Sequence, residues 1–245
     1  MRFQFGLDGK YKKMILALMG AGIMFALLLL SVLLGFLGRT DSNIRQSGYF
    51  GHGLPPFVTV EMMVAFFEVQ EDTGIPVSTG IAQLIAEAGY GNYGERGDIR
   101  QGLSRLAYDY HNLFGVKFFD GTPYVRGAVD LTTWEYIDGE DITIVDAFAI
   151  YDSARDAILH RAHMLFLPPY VDNITPYLNL EIGTYTIEQA NRFANGIWVS
   201  GWATDPDYVE KLIHHMEHYN LYRFNNMTWD EFRELLRYED GYENE

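Results

Sequence analysis

The sequence predicts an α+β fold that is mainly α: a helical domain with a small antiparallel β-lobe, preceded by one N-terminal transmembrane helix. Three observations carry this reading. Apolar residues recur at helical spacing through most of the chain beyond residue 58. Between Val116 and Ile144 the pattern changes to β-branched and aromatic runs separated by Asp-Gly. Met14 to Leu37 contains no charge, and as a helix it spans ~36 Å at ~1.5 Å per residue, enough for a hydrocarbon core ~30 Å thick.

Residues 1–13 form a short N-terminal segment with Lys10, Lys12 and Lys13 before the apolar run, while Arg39 and Arg45 beyond it are offset by Asp41. That bias orients the N-terminus inside and the body outside, a single-pass protein of the cell membrane with an extracellular domain. A cleaved signal peptide has an apolar region of only ~7–15 residues ending in a small-x-small site. Leu34-Gly35-Phe36-Leu37-Gly38 is a poor site of that kind, so residues 14–37 are expected to remain as an anchor. Residues 38–57, with Gly, Ser, Asn and Pro55-Pro56, read as a linker.

The main domain is expected over residues 58–225. Val60, Met63, Val64, Phe66 and Phe67 give a first helix from Thr59 to Glu71, broken by Asp72-Thr73-Gly74-Ile75-Pro76. Ser78 is placed to cap a second helix running to about Glu87. Short strands are expected at Val116–Phe119, Tyr124–Arg126, Leu131–Tyr136 and Ile142–Ile144. Helices follow from Ser153 to Leu167, stopped by Pro168-Pro169, from Thr186 to Ala194 with Gln189 completing a capping box, and from Asp207 to Tyr219. Residues 226–245 read as a short helix started by Thr228-Trp229-Asp230-Glu231 and an acidic tail.

The 245-residue chain carries a net charge of −15, placed downstream of the basic N-terminus. Such a body repels phosphates, so nucleic acid is not an expected partner. It has no cysteine, which excludes disulfides, Cys-zinc sites and thiol nucleophiles. His160 and His163, and His214, His215 and His218, have helical spacings that can bind zinc, but no Cys accompanies them and the His-Glu-x-x-His protease pattern is absent. No metal and no cofactor is expected.

The residues that point to chemistry are carboxylates. Glu87 ends an apolar helix just before Gly89-Tyr90-Gly91. Apolar neighbours disfavour the charged form and keep a carboxyl protonated, as a proton donor requires. Glycoside hydrolysis commonly uses two carboxyl groups across a cleft. Glu135 on the expected sheet, in Thr132-Thr133-Trp134-Glu135-Tyr136, is the second candidate. Their separation, and with it inversion or retention, is left open by the sequence.

Five motifs stand in order along the chain: Glu87-Ala88-Gly89-Tyr90-Gly91, Asn112-Leu113-Phe114-Gly115-Val116-Lys117, Thr133-Trp134-Glu135, Phe148-Ala149-Ile150-Tyr151, and Gly201-Trp202-Ala203-Thr204-Asp205-Pro206-Asp207-Tyr208. Together they resemble glycoside hydrolase family 73, bacterial cell-wall glucosaminidases of the lysozyme superfamily. The departures are Ala88 for Ser, Tyr90 for Trp, Ala149 for Arg, Trp202 for Tyr, and a longer segment between Gly91 and Asn112. The resemblance implies a lysozyme-like fold in which Glu87 protonates the glycosidic oxygen. It further implies that Glu135 assists water or stabilises the cationic transition state, and that Tyr208 orients Glu87 or the substrate acetamido group. Tyr90, Asn112, Phe114, Trp134 and Trp202 are then expected on the substrate cleft, Asn112 and Phe114 as its floor and Trp202 as a sugar platform.

The function expected from that resemblance is cleavage of the β-1,4 bond after N-acetylglucosamine in peptidoglycan glycan strands. An anchored enzyme on a short stalk reaches only nearby wall, which suits local opening, for example around an envelope-spanning machine. The alternatives are a muramidase or lytic transglycosylase on the same fold, or an inactive glycan-binding scaffold. A transglycosylase needs no second carboxylate.

Overall fold

A computed structural model describes residue 48 and residues 50–239, apart from 95, 99, 138, 139 and 182; for the rest of 133–142 and for 237–239 it describes the backbone path. The transmembrane expectation for residues 14–37, the N-terminal segment before it and the end of the acidic tail lie outside the described residues. Among those residues no helix is long and apolar enough to cross a membrane.

Helix α1 (Val60–Thr73) begins where the Thr59 hydroxyl accepts from the Met62 amide at 3.3 Å and ends at Gly74, whose φ of 74° only glycine adopts readily. Every residue from Met62 to Gln70 is buried, and so is every residue from Val77 to Ile85 in α2 (Val77–Ala88). Helices apolar on all sides belong in the middle of a core. Gln70 and Asn225 meet that core with their amides satisfied. Gln70 Oε1 accepts from the Val77 amide at 3.0 Å, and Asn225 Oδ1 accepts from the Ser78 amide at 2.9 Å.

Ser78 therefore does not cap α2. It lies inside the helix, and its hydroxyl accepts from Asn225 Nδ2 at 2.9 Å. The free amides at the helix start are satisfied by side chains from other elements, Asn225 coming from a 3-10 helix (Leu221–Asn226).

A short helix α3 (Arg105–Tyr110), capped by the Ser104 hydroxyl, leads to the β-lobe. Two long antiparallel strands form this lobe, β1 (Gly127–Ile137) and β2 (Glu140–Ile150), in a register running from Gly127 opposite Ile150 to Ile137 opposite Glu140. Of the four short strands expected, the last two are parts of these. Tyr124–Arg126 is turn and approach to β1, and Val116–Phe119 forms no strand but meets β2 at the Lys117–Phe148 bridge and the Lys117–Asp146 ion pair.

Helix α4 (Ala154–Leu165) is capped by Ser153 and packs on α1. After the short α5 (Tyr170–Ile174) come α6 (Ile187–Val199), with the expected Thr186/Gln189 capping box, and α7 (Tyr208–His218), which packs across α2. Helix α8 (Trp229–Glu239) follows Thr228, whose hydroxyl accepts from the Glu231 amide at 3.2 Å.

The two flanks of the main domain belong to its core. Phe50, Leu54 and Phe57, expected in a linker, are 0%, 4% and 3% exposed. Polar and Pro-rich composition hid three anchors that the chain pins with Phe50 N to Val58 O and Val60 N to Gly48 O bonds. Phe232 of α8 is fully buried, with its ring stacked on Phe67 at 4.0 Å.

Candidate active site

Glu87 occupies the last turn of α2, partly buried. The chain leaves the helix through Gly89, Tyr90 at φ 58°, and Gly91, where a Cβ would collide with the Leu103 carbonyl. That close approach starts a loop returning at Ser104, whose amide bonds the Ala88 carbonyl at 2.7 Å. The Gly/aromatic break thus ties both ends of the 91–104 segment to the end of the helix that carries Glu87.

Two donors meet one oxygen of Glu87. The Tyr208 hydroxyl donates to Oε1 at 2.6 Å, and the Trp202 indole N–H donates to the same atom at 3.1 Å. A carboxyl oxygen has two lone pairs, so both on Oε1 are engaged, and a proton on this carboxyl resides on Oε2. Oε2 looks toward the 112–116 turn, where a Cβ at position 115 would stand 4.0 Å away; Gly115, at φ 65°, carries none. Burial raises the carboxyl above the ordinary glutamate value; the bonds from Tyr208 and Trp202 pull the other way and do not cancel it. Burial and the Glu87 charge push Tyr208 up, so it stays a protonated donor.

Tyr208 is 5% exposed and acts on Glu87 from inside the fold. Trp202 performs two tasks: its N–H holds the acid, and its ring packs edge-on to Phe114 (6.5 Å) and Tyr170 (5.7 Å). An indole donor therefore stands where the family resemblance led to a tyrosine hydroxyl.

Asn112 and Phe114, expected as the cleft floor, are both buried. Asn112 is 1% exposed; its Nδ2 donates to Val116 O (2.8 Å) and Ala149 O (2.9 Å), and its Oδ1 accepts from Val116 N (3.0 Å). With its amide spent on backbone it is no direct ligand contact, and it sews the turn to β2. Ala149, 0% exposed, keeps that junction tight. Tyr90 is 64% exposed, its hydroxyl bonded to that of Tyr219 and its ring set edge-on against Phe57 at 6.2 Å.

Glu135 and Trp134 lie in the part of β1 described by its backbone. Residue 135 pairs with Ile142 and shares a sheet face with Val129, Leu131 and Phe148; residue 134 pairs with Thr143 on the other face. The two faces differ: Val129 and Leu131 are partly covered, while Asp130 and Thr132 are exposed.

Three site residues were not singled out in the sequence: Gln83, Arg161 and Tyr170. Gln83 was detectable as a polar residue one turn before Glu87 on an apolar helix; it is 0% exposed and its Nε2 donates to the Tyr208 hydroxyl at 3.0 Å. Among the described residues no group of His, Asp or Glu could hold a metal. Burial and the neighbouring His163 charge bring His160 down to about 4, a neutral ring bonded to the Tyr151 hydroxyl at 2.7 Å.

The profile of a glucosaminidase family, described as mannosyl-glycoprotein endo-beta-N-acetylglucosaminidase, matches residues 64–221. The chain is similar to the peptidoglycan hydrolase FlgJ of Salmonella typhimurium, 30% identical over 143 residues that cover 58% of this chain and 39% of that protein. It is also similar to the exo-glucosaminidase LytG of Bacillus subtilis, 32% identical over 152 residues, 62% of this chain and 46% of that one. The matched region spans less than half the length of either relative. A crystal structure of a peptidoglycan hydrolase mutant from Sphingomonas sp. A1 superposes with a TM-score of 0.46 at 21% identity, covering 72% of this chain and 95% of that chain.

Proposed function

This chain belongs to the glucosaminidase family of glycoside hydrolases, and we propose that it is a membrane-anchored peptidoglycan hydrolase that cleaves the β-1,4 bond after N-acetylglucosamine with Glu87 as general acid. The observation that carries the reading is the Glu87 carboxyl: its pKa is raised, its Oε1 holds two donors, and its Oε2 faces Gly115, which has no side chain. A raised pKa keeps the group protonated closer to neutral pH, which is what protonation of a leaving oxygen needs.

In the proposed reaction the glycosidic oxygen takes the proton from Oε2 as its bond to the sugar carbon breaks. The remaining carboxylate keeps the two hydrogen bonds at Oε1, which strengthen as charge develops there. Glu135, or the acetamido group of the substrate, meets the positive charge on the sugar or directs water to it. Trp202 and Tyr90 offer aromatic surface to sugar rings. The uncharged run from Met14 to Leu37 supports the anchor, and an anchored enzyme would open wall locally, for growth or for an envelope-spanning machine.

Digestion of purified peptidoglycan by the full chain in detergent, with mass spectrometry of the products beside Glu87→Gln, tests this. Reducing-end N-acetylglucosamine, absent with the variant, is the expected result. Reducing-end N-acetylmuramic acid makes the enzyme a muramidase, 1,6-anhydro ends make it a transglycosylase, and wall binding without soluble products makes it a scaffold.

A further inference from the structure

Arg161 of α4 is among the largest fully buried side chains of the described residues, 0% exposed, and it reaches Glu87 through Gln83 and Tyr208. Its Nε–H donates to Gln83 Oε1 at 2.7 Å, while Nη1 and Nη2 have no hydrogen-bond partner. Among the described residues no carboxylate pairs with it. The Phe114 ring lies 5.6 Å from the guanidinium carbon, between Arg161 and Trp202. Burial brings its pKa down to about 10, so it remains a cation at neutral pH. A buried cation without a counter-ion is costly, and a core apolar residue in its place would be cheaper. Its retention needs a reason.

The directions of the hydrogen bonds supply one. Arginine has donors and no acceptor, so the bond at Nε fixes the Gln83 amide with Oε1 toward Arg161 and Nε2 toward Tyr208. Gln83 must then donate to the Tyr208 oxygen, at 3.0 Å. The Tyr208 hydroxyl has one hydrogen, and it goes to Glu87 Oε1 at 2.6 Å. Without the arginine the amide is free to turn over and accept from Tyr208, and the hydroxyl could then accept a proton from Glu87 instead of donating.

We propose that Arg161 is a positioning residue for the acid: through Gln83 it commits the Tyr208 hydroxyl to donate to Glu87 Oε1, and so confines the transferable proton to Oε2. The relay runs Arg161, Gln83, Tyr208, Glu87, from α4 through α2 to α7 and back to the end of α2. The charged groups that bear on Tyr208 are Glu87 and Arg161; Glu87 itself meets only burial and its two neutral donors, Tyr208 and Trp202. The inference rests on the reading of Glu87 as general acid.

The test is a titration of the Glu87 carboxyl by NMR in the full chain, labelled with carboxyl-13C glutamate in detergent micelles, the resonance assigned by its loss in Glu87→Gln. Arg161→Met and Tyr208→Phe are each expected to raise the midpoint by about half a pH unit or more, because each removes a committed donor to the carboxylate. The double variant should go no higher than the larger single effect, since both cut one chain. Arg161→Lys, which keeps charge and donor, should stay near wild type. If Arg161→Met unfolds the protein, Gln83→Glu tests the same relay: its carboxylate accepts from both Arg161 and Tyr208, draws the hydroxyl away from Glu87, and should raise the midpoint likewise. An unmoved midpoint in a folded Arg161→Met or Gln83→Glu chain, or additive shifts in the double variant, overturns the proposal. The titration needs no substrate. A wild type that releases nothing from peptidoglycan, yet shows the coupled shifts, would sink the hydrolase reading and leave the relay standing.

Discussion

Glu87 works against its own ionisation, and this has consequences for both rate and stability. Because burial holds its pKa above the ordinary glutamate value, the proposed role of Glu87 as general acid predicts that kcat/KM for glycan cleavage falls as pH rises through that pKa and the carboxyl loses its proton. A rate profile between pH 4 and 9 checks this; a rate that climbs across the alkaline side contradicts it. The stability effect has the same origin. Folded and unfolded chains are equally protonated at Glu87 below the unfolded value of about 4.3, and the folded state carries the full penalty only above the raised native value. Glu87→Gln should therefore melt higher than wild type at pH 7 while losing hydrolysis, with the difference closing below about pH 4. Parallel calorimetric scans at the two pH values read it. At Tyr208 the loss is kinetic: Tyr208→Phe removes the 2.6 Å donor and should lower kcat about 10- to 100-fold with little change in KM. Glu87 was legible in the sequence because a carboxylate before a Gly/aromatic break is unusual on an apolar helix. Gln83 showed only as a polar residue on an apolar helix, and its pairing with Arg161 was hidden, because neither shows a partner until the fold brings together positions 78 apart.

At the scale of elements, periodicity located most helices, and the misplacements have tertiary causes. Thr59, Ser153 and Thr186 cap as their spacing indicates. Ser78 does not, since Asn225 arrives from 147 positions away to take the amide that a local cap would have taken. The β-lobe runs longer than its β-branched stretches, through Asp130, Asp146, Ala147 and Ala149. Such residues have poor strand propensity, but Asn112 and the 116–118 segment hold β2 from the side through bonds to Ala149 O, Ala147 O and Val116 O. The cap makes a measurable claim. Asn225→Ala leaves the Ser78 amide and hydroxyl buried and unmet, so urea unfolding should show a loss of about 2 kcal/mol with an unchanged m value. The helix that carries Glu87 begins at that cap, yet the acid lies three turns away, so activity per folded molecule should hold.

For the whole molecule, the flanks decide whether the site exists at all. The five motifs fall within residues 87–208, and composition drew the folded domain at 58. The core disagrees, because Phe50 meets Phe224 and Phe232 at 6.0 Å each, Phe232 stacks on Phe67, and Phe57 buttresses Tyr90 beside the acid. No local period marks Phe50 and Phe57 as core, and Phe232 sits between Glu231 and Arg233; what buries Phe50 and Phe232 lies on α1, in the 221–226 turn and on α8. Three buried side chains at ~1.5–3 kcal/mol each amount to about 5–9 kcal/mol. A domain's whole stability is about 5–15 kcal/mol. A chain of residues 58–245 should therefore lack a cooperative melt and give no wall hydrolysis, whereas residues 42–245 should melt cooperatively, as the compact unit Ser42–Glu245 implies. Differential scanning calorimetry of the two chains settles it, and equal transitions would mean that the 48–57 segment decorates the domain instead of completing it. Phe232→Ala probes the other flank within the intact chain, where a loss of about 3–5 kcal/mol is expected for a buried phenylalanine. Failure of both variants would show that the acid's helix is held by a core drawn from residues well outside the motifs that mark the family.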